Sequence, residues 1–366
     1  MKFRSSALGL VLAMSGMGTV IAQSATLQTQ VEEMVAACGA PGGVLAFWDG
    51  EGADVEVRVA GLRSVNNDDL ITGEDLWHIG SNTKAMTATL AARLVERGVV
   101  RWEDTIEEVL GEGHDFAINP AYLDVTLEDL LNHTSGMSAN VSMFQFIRFV
   151  GADEERDEEL DRVEYTRVAL AEKPGGSRGA FIYSNTGFVI AGLMLETRAG
   201  EPYEVLMQRE VFDPLGMDSA GWGPPLGEDQ PEGHVPGLFR GPRAVGTRDN
   251  PPALNSAGRV HISARDHMKF LIAHVREASG PSADYLSQAS WDKLHTPLPD
   301  HDYVMGWGLY RGLLAHAGSN TAWIEQIAFD PKGQKAALAG VNYGHQGKCM
   351  PATGEVLMKL LAIDPE

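Results

Sequence analysis

The chain has 366 residues, with 29 basic against 50 acidic side chains and a formal net charge of -21 at pH 7. That length supports one large or two moderate domains with a substantial core. So acidic a surface repels nucleic acid and anionic lipid, and it disfavours anionic ligands until they come within a Debye length of roughly 8 Å. DNA and RNA are therefore excluded as expected partners.

In chain order, the first element is a candidate secretory signal peptide. Lys2 and Arg4 precede an apolar run from Ala7 to Ala22, with Val20 and Ala22 placed for cleavage near Ala22. The run is short for a bilayer span, which takes roughly 20 apolar residues, and it carries Gly9, Gly16 and Gly18. The expectation is a mature chain of residues 23–366, periplasmic or secreted, with no stable membrane insertion after cleavage. Cys38 and Cys349 would then meet oxidising conditions. A bridge and two separate buried thiols both fit the spacing.

A short helix is predicted around Leu27 to Ala37, followed by two strands with glycine-bearing turns in "GGVLAFWDG" and the alternating "ADVEVRVAG". Near the other end, "GWGLYRGLLAHAG", "AWIEQIAFDPKG" and "KAALAGVNYG" predict three more strands, the last two joined by a hairpin at Asp330-Pro331-Lys332-Gly333. The closing "ATGEVLMKLLAI" has helical spacing through Val356, Leu357, Leu360 and Leu361. Residues 80 to 275 are helical and loop-rich. The expected fold class is α/β (α+β): an antiparallel sheet built from both chain ends and flanked by helices, with an inserted helical domain. The sheet part would span about 26–80 and 276–366 and the helical part about 81–275, with the site in the cleft between them. The acidic run "ADEERDEELDR", residues 152–162, is expected to be a solvated helix face or loop.

The stretch "HIGSNTKAMTATLAARLVERG", residues 78–98, carries the chemistry. Met86, Leu90 and Leu94 recur at helical spacing and Gly98 follows the last turn, so a helix is predicted from near Ser81. Residues three apart share a face, which brings Ser81 and Lys84 together. A neutral amine beside a hydroxyl can activate it as a nucleophile. A lysine with its usual pKa of about 10.4 is charged at neutral pH, so this role needs about 4 kcal/mol of destabilisation of the charge. A helix N-terminus supplies at most about 2 kcal/mol, and burial must do the rest.

Ser-x-x-Lys is a short pattern with many chance matches. It recurs at Ser290 and Lys293, in a segment where Trp291 and Leu294 look like helix packing. The pentapeptide Gly175 to Gly179 fits a Gly-x-Ser-x-Gly elbow but lacks the strand before and helix after the serine that such an elbow needs. The match at Ser81 gains weight from two later motifs, Tyr183-x-Asn185 and His316-x-Gly318 followed by Ser319.

In that order the three motifs resemble those of the serine β-lactamase and penicillin-binding-protein superfamily. The nearest branch holds class C β-lactamases, D-alanyl-D-alanine carboxypeptidases and β-lactamase-like esterases. "LLNHTSGM" at 130–137, "PLGM" at 214–217 and "MGWGLY" at 305–310 are typical of the same branch, and the likeness covers nearly all of the mature chain. The resemblance implies Ser81 as the acylated nucleophile, Lys84 as its proton partner and Tyr183 as general base and proton relay. It implies that Asn185 holds the substrate amide or positions Lys84, that His316 and Gly318 bind substrate, and that the Ser81 and Ser319 N–H groups form the oxyanion hole. It also places Cys38 near Cys349 and so favours a disulfide. His114, His133, His261, His267 and His345 are assigned to structure or surface, and no metal or organic cofactor is implied.

The third motif reads His-Ala-Gly where most β-lactamases have Lys-Thr-Gly. A lysine keeps a full charge for a substrate carboxylate, whereas a histidine with a pKa near 6.5 is mostly neutral at pH 7. The expected activity is an exported serine hydrolase acting through a Ser81 acyl-enzyme on small ester, amide or peptide substrates that lack an essential carboxylate. The alternatives are a β-lactamase or D-Ala-D-Ala carboxypeptidase, and a non-catalytic binding protein on the same scaffold. Specificity is expected to reside in the loops of residues 138–165 and 218–255.

Overall fold

The computed structural model describes residues 26–50, 54–111, 113–149, 157–227, 229–237, 241–277, 284–332 and 334–362. The expected signal segment, residues 1–22, lies outside them. Five helices frame the site: α1 (residues 26–38), α2 (Thr83–Glu96), α3 (Asn185–Ala199), α4 (Ala264–Arg276) and α5 (Gln346–Leu360). The main sheet has seven strands, β1 (Gly42–Trp48), β2 (Glu56–Gly61), β3 (Tyr303–Val304), β4 (Trp307–Tyr310), β5 (Leu313–Ser319), β6 (Ile324–Asp330) and β7 (Lys335–Val341). They lie antiparallel in the order β2-β1-β7-β6-β5-β4-β3. Pairing of β1 with β7, from Gly43 opposite Val341 to Trp48 opposite Ala336, joins the two chain ends as the sequence implies.

Both faces of this sheet are covered, and the two-residue side-chain period sorts them. Leu45, Phe47, Ala337, Ala339 and Val341 pack with Leu27, Val31 and Met34 of α1 and Val356 and Leu357 of α5. Val44, Ala46, Trp48, Ala336 and Leu338 belong to the larger core on the other face, which runs without interruption into the helical region. The helix α4, inside the span assigned to the insertion from sequence, packs on β1, β6 and β7. Its buried Met268, Leu271 and Val275 recur at helical spacing and give it a face for the sheet. Cys38 at the end of α1 and Cys349 in the first turn of α5 form a disulfide, with their Cα atoms 4.6 Å apart across 311 residues of sequence.

Two local expectations are corrected. The run 306–318, predicted as one strand, is a hairpin: Arg311 (φ 52°) and Gly312 (φ 86°) turn the chain between β4 and β5. Two successive positive φ values make the tight turn whose twist matches antiparallel strands. Of the acidic run, residues 152–156 lie outside the described residues; Asp157 caps a helix, Glu158–Ala171, whose outer face is exposed as expected but whose inner face, with Asp161 and Arg162, is not solvated. Its Arg162 is fully buried and paired with Glu196 (2.7 and 2.9 Å) and Glu204 (2.9 and 3.1 Å).

Candidate active site

The turn that carries Ser81 is tighter than predicted. Gly80–Asn82 forms a 3₁₀ turn and the α-helix proper begins at Thr83, so Ser81 and Lys84 straddle the junction. In 3₁₀ geometry positions i and i+3 nearly eclipse, and Lys84 Nζ lies 3.1 Å from Ser81 Oγ. The amine also faces Asn185 Oδ1 at 2.7 Å and the carbonyl oxygen of Ala257 at 2.6 Å. Lys84 is completely buried, and burial pulls its amine well below the usual lysine range. A neutral amine has two N–H donors and one lone pair. Those donors match the two partners that only accept, which leaves the lone pair for the one partner, Ser81, that can donate.

Each of these partners is itself held. Asn185 opens α3, capped by Ser184, whose Oγ accepts from Gly187 N and donates to Ser138 O. Its Nδ2 donates to Asn140 Oδ1 at 3.0 Å, which fixes the amide with Oδ1 toward Lys84. Ala257 lies in the short helix Asn255–Gly258. There Asn255 bonds Glu204 and Arg259, and Ser256 bonds the Phe188 carbonyl.

Tyr183 bonds Ser81, and burial pushes its phenol up to about 12. At neutral pH it is a protonated phenol, suited to passing a proton to a leaving group rather than to removing one unaided. Its ring lies 4.9 Å from Lys84 Nζ and 4.5 Å from the ring of His133. His133, inside the Asn-His-Thr stretch of the supporting motif, accepts from Ser184 N and packs between Phe181, Tyr183, Phe188 and Tyr303. Burial, with Lys84 and His316 nearby, holds it neutral. His316 on β5 faces Tyr183 with ring centroids 6.4 Å apart, and burial beside Lys84 lowers its imidazole to about 3.

Two glycines bring the Ser81 turn against β5. A Cβ on Gly80 (φ 53°) would lie 2.3 Å from Ser319 N, and one on Gly318 would lie 1.8 Å from Ile79 O. Only bare backbone on both sides allows this approach. The approach sets the segments carrying the Ser81 and Ser319 amides side by side, where two N–H donors could converge on one carbonyl oxygen.

The structure thus brings Ser81, Lys84, Tyr183, Asn185, His316, Gly318 and Ser319 to one cleft. The decoys lie elsewhere: Ser290 bonds Glu96, Lys293 bonds Glu128, and Gly175 to Gly179 form an exposed loop. His114, His261, His267 and His345 lie outside the group. The sequence reading passed over Asn82, Asn140, Ala257 and Glu325. Ala257 acts through its backbone and carries no sequence signal; Asn82 stands inside the first motif and could have been asked about. A further anchor, buried Asp249, bonds His78, Arg259 and Asn320 and so ties the 218–255 loop to the strand before Ser81 and the residue after Ser319.

Comparison with known proteins places this geometry. The chain is 26% identical over 310 residues to an unguisins hydrolase of Aspergillus campestris, covering 77% of this chain and 55% of that protein. It is 26% identical over 274 residues to the penicillin-binding protein PbpX of Bacillus subtilis, covering 74% and 63%. The chain therefore spans less than two thirds of these curated relatives. Its fold matches that of the D-amino acid amidase of Ochrobactrum anthropi with a TM-score of 0.74 at 22% identity, over 92% of this chain and 97% of the other. The profile of the beta-lactamase family matches residues 27–357, nearly the whole described structure, and the chain belongs to that family.

Proposed function

We propose that the protein is a serine hydrolase that forms an acyl-enzyme on Ser81, acting on amides or esters that do not need a carboxylate for binding. The observation that carries this reading is the surroundings of Lys84, a buried amine whose partners are two pure acceptors and the Ser81 hydroxyl. In this reading Lys84 takes the Oγ proton as Oγ attacks the carbonyl carbon, and the oxyanion meets the N–H groups of Ser81 and Ser319. Tyr183 hands a proton to the departing nitrogen or oxygen and is left a phenolate; water then attacks the acyl carbon as Tyr183 takes its proton, and Lys84 returns the first proton to Ser81 Oγ as the acyl–Oγ bond breaks. The neutral His316 is the reason to look beyond carboxylate-bearing substrates, and amide or peptide hydrolysis among the relatives supports the bond type. We further propose export to an oxidising compartment, supported by the Cys38–Cys349 bridge and the signal-like first 22 residues.

The test is hydrolysis of p-nitrophenyl butyrate by the wild type beside Ser81→Ala, with intact-mass detection of a butyryl adduct. Activity and adduct both lost on substitution support the assignment. Turnover surviving in Ser81→Ala refutes it, and a wild type inert towards this ester and towards amino-acid amides refutes the hydrolase reading itself.

A further inference from the structure

Asn82 stands between the nucleophile and the lysine, and its side chain points away from both. Its Nδ2 lies 2.9 Å from Glu325 Oε2 and 3.3 Å from the Glu325 carbonyl oxygen. Both of these partners accept only, so the amide must turn its NH₂ toward them and its Oδ1 away. That Oδ1 lies 3.2 Å from Nδ1 of His316. An amide oxygen accepts only, so Nδ1 must carry the proton. A neutral imidazole has one N–H, and Nε2 is left with a lone pair.

Glu325 is held from its other side. His267 Nδ1 lies 3.2 Å from Oε1 and 3.1 Å from Oε2, and the carboxylate is 1% exposed. The sheet makes room for this chain of side chains: Glu325 stands opposite Gly318 on β5 and opposite Gly340 on β7. A Cβ on Gly318 would crowd Asn82 Cγ at 3.1 Å, whereas one on Gly340 would stand in ordinary contact with Glu325 Cγ at 3.6 Å, so the room is made at Gly318. A buried carboxylate is costly unless its bonds are made, and here both carboxylate oxygens are used. His316 stands partly exposed on the cleft side of β5, and its hydrogen bond to Asn82 is made through Nδ1, which leaves Nε2 for the cleft.

We propose that Asn82, Glu325 and His267 are positioning residues that fix His316 as its Nδ1–H tautomer, presenting an acceptor at Nε2, so that the site selects substrates whose acyl portion offers an N–H or ammonium donor. A carboxylate at the same place meets a lone pair instead of a donor and is rejected. The selection rests on the hydrolase reading above; the tautomer does not.

Two measurements separate them. In protein labelled with ¹⁵N-histidine, long-range ¹H–¹⁵N correlation at pH 7, assigned through His316→Gln, reports which ring nitrogen is protonated. The expected result is Nδ1 protonated and Nε2 bare in the wild type. In Glu325→Gln the new amide can donate to Asn82, the Asn82 amide can turn, and the Nε2–H form appears; Asn82→Ala, which removes the acceptor outright, gives the same result should the first variant unfold. An Nε2–H wild type, or a spectrum unchanged in both variants, overturns the relay. The second measurement compares kcat/KM for the p-nitrophenyl esters of N-acetylalanine and its N-methyl counterpart. One lost hydrogen bond predicts a preference of about tenfold for the N–H ester, carried by KM, falling to within about twofold in the relay variants. General damage would slow both esters alike and leave the ratio. A wild-type ratio near one overturns the selection. Inertness towards both esters with the Nδ1–H form intact refutes the hydrolase reading, and the selection with it, while leaving the relay standing.

Discussion

Substituting Gly318 by alanine tests whether the approach of β5 to the nucleophile's turn is what builds the oxyanion site. The added Cβ would sit 1.8 Å from the Ile79 carbonyl oxygen, so strand and turn must part by roughly 1.5 Å to restore an ordinary contact. Ser319 N follows Gly318 directly and moves with it. A donor displaced by that distance no longer reaches the oxyanion formed at Ser81, and loss of one such donor lowers kcat by about 10² to 10³, or about 3–4 kcal/mol. The ground-state carbonyl is less charged than the oxyanion, so KM should change by far less. The assay is kcat and KM for p-nitrophenyl butyrate, with near-UV circular dichroism and thermal unfolding to establish that the variant is folded. Gly80→Ala presses on the same contact from the other side, its Cβ 2.3 Å from Ser319 N. The double variant should therefore lose little more than the worse single one, because both break one contact. A folded Gly318→Ala enzyme with kcat within threefold of wild type would refute the argument.

In the proposed reaction Lys84 must be neutral to act as a base, so kcat/KM should rise with pH through a depressed lysine pKa and then stay flat until Tyr183 ionises near 12; an acid limb centred at 10 or above, where an ordinary lysine titrates, would contradict the role. Arg162→Ala leaves buried Glu196 and partly buried Glu204 without their cation and should cost about 3–5 kcal/mol in urea unfolding; a loss under about 1 kcal/mol would show that the pair is solvated. Cys38→Ser releases a loop of 311 residues and should cost about 2–5 kcal/mol, seen as a lower Tm that wild type shows only with reductant present.

Much of this protein is legible in its sequence because the relevant signals are local. Short apolar runs bounded by turn residues mark the strands Gly42–Trp48 and Lys335–Val341, and Met86, Leu90 and Leu94 mark the helix that follows Ser81. Three ordered motifs name the side chains that meet in the cleft, since residue type and order survive in the chain itself. The hairpin at Arg311 and Gly312 was missed because an arginine at positive φ has no compositional signature, and the turn is imposed by the strands it joins. Arg162 was assigned to solvent because its neighbours are acidic; its true partners lie 34 and 42 residues away on other elements.

What the tertiary structure alone decided is the state of each group. Nothing in the sequence says that Lys84 is buried among two acceptors and a hydroxyl, that the Ala257 carbonyl is one of them, or that Asn82 and Glu325 meet in the space left by Gly318. The sequence by itself determined which chemistry is present; packing determined the protonation and direction of that chemistry. The physical reason is that residue identity sets what a side chain can donate or accept, while charge and tautomer depend on dielectric and partners, which long-range contacts supply.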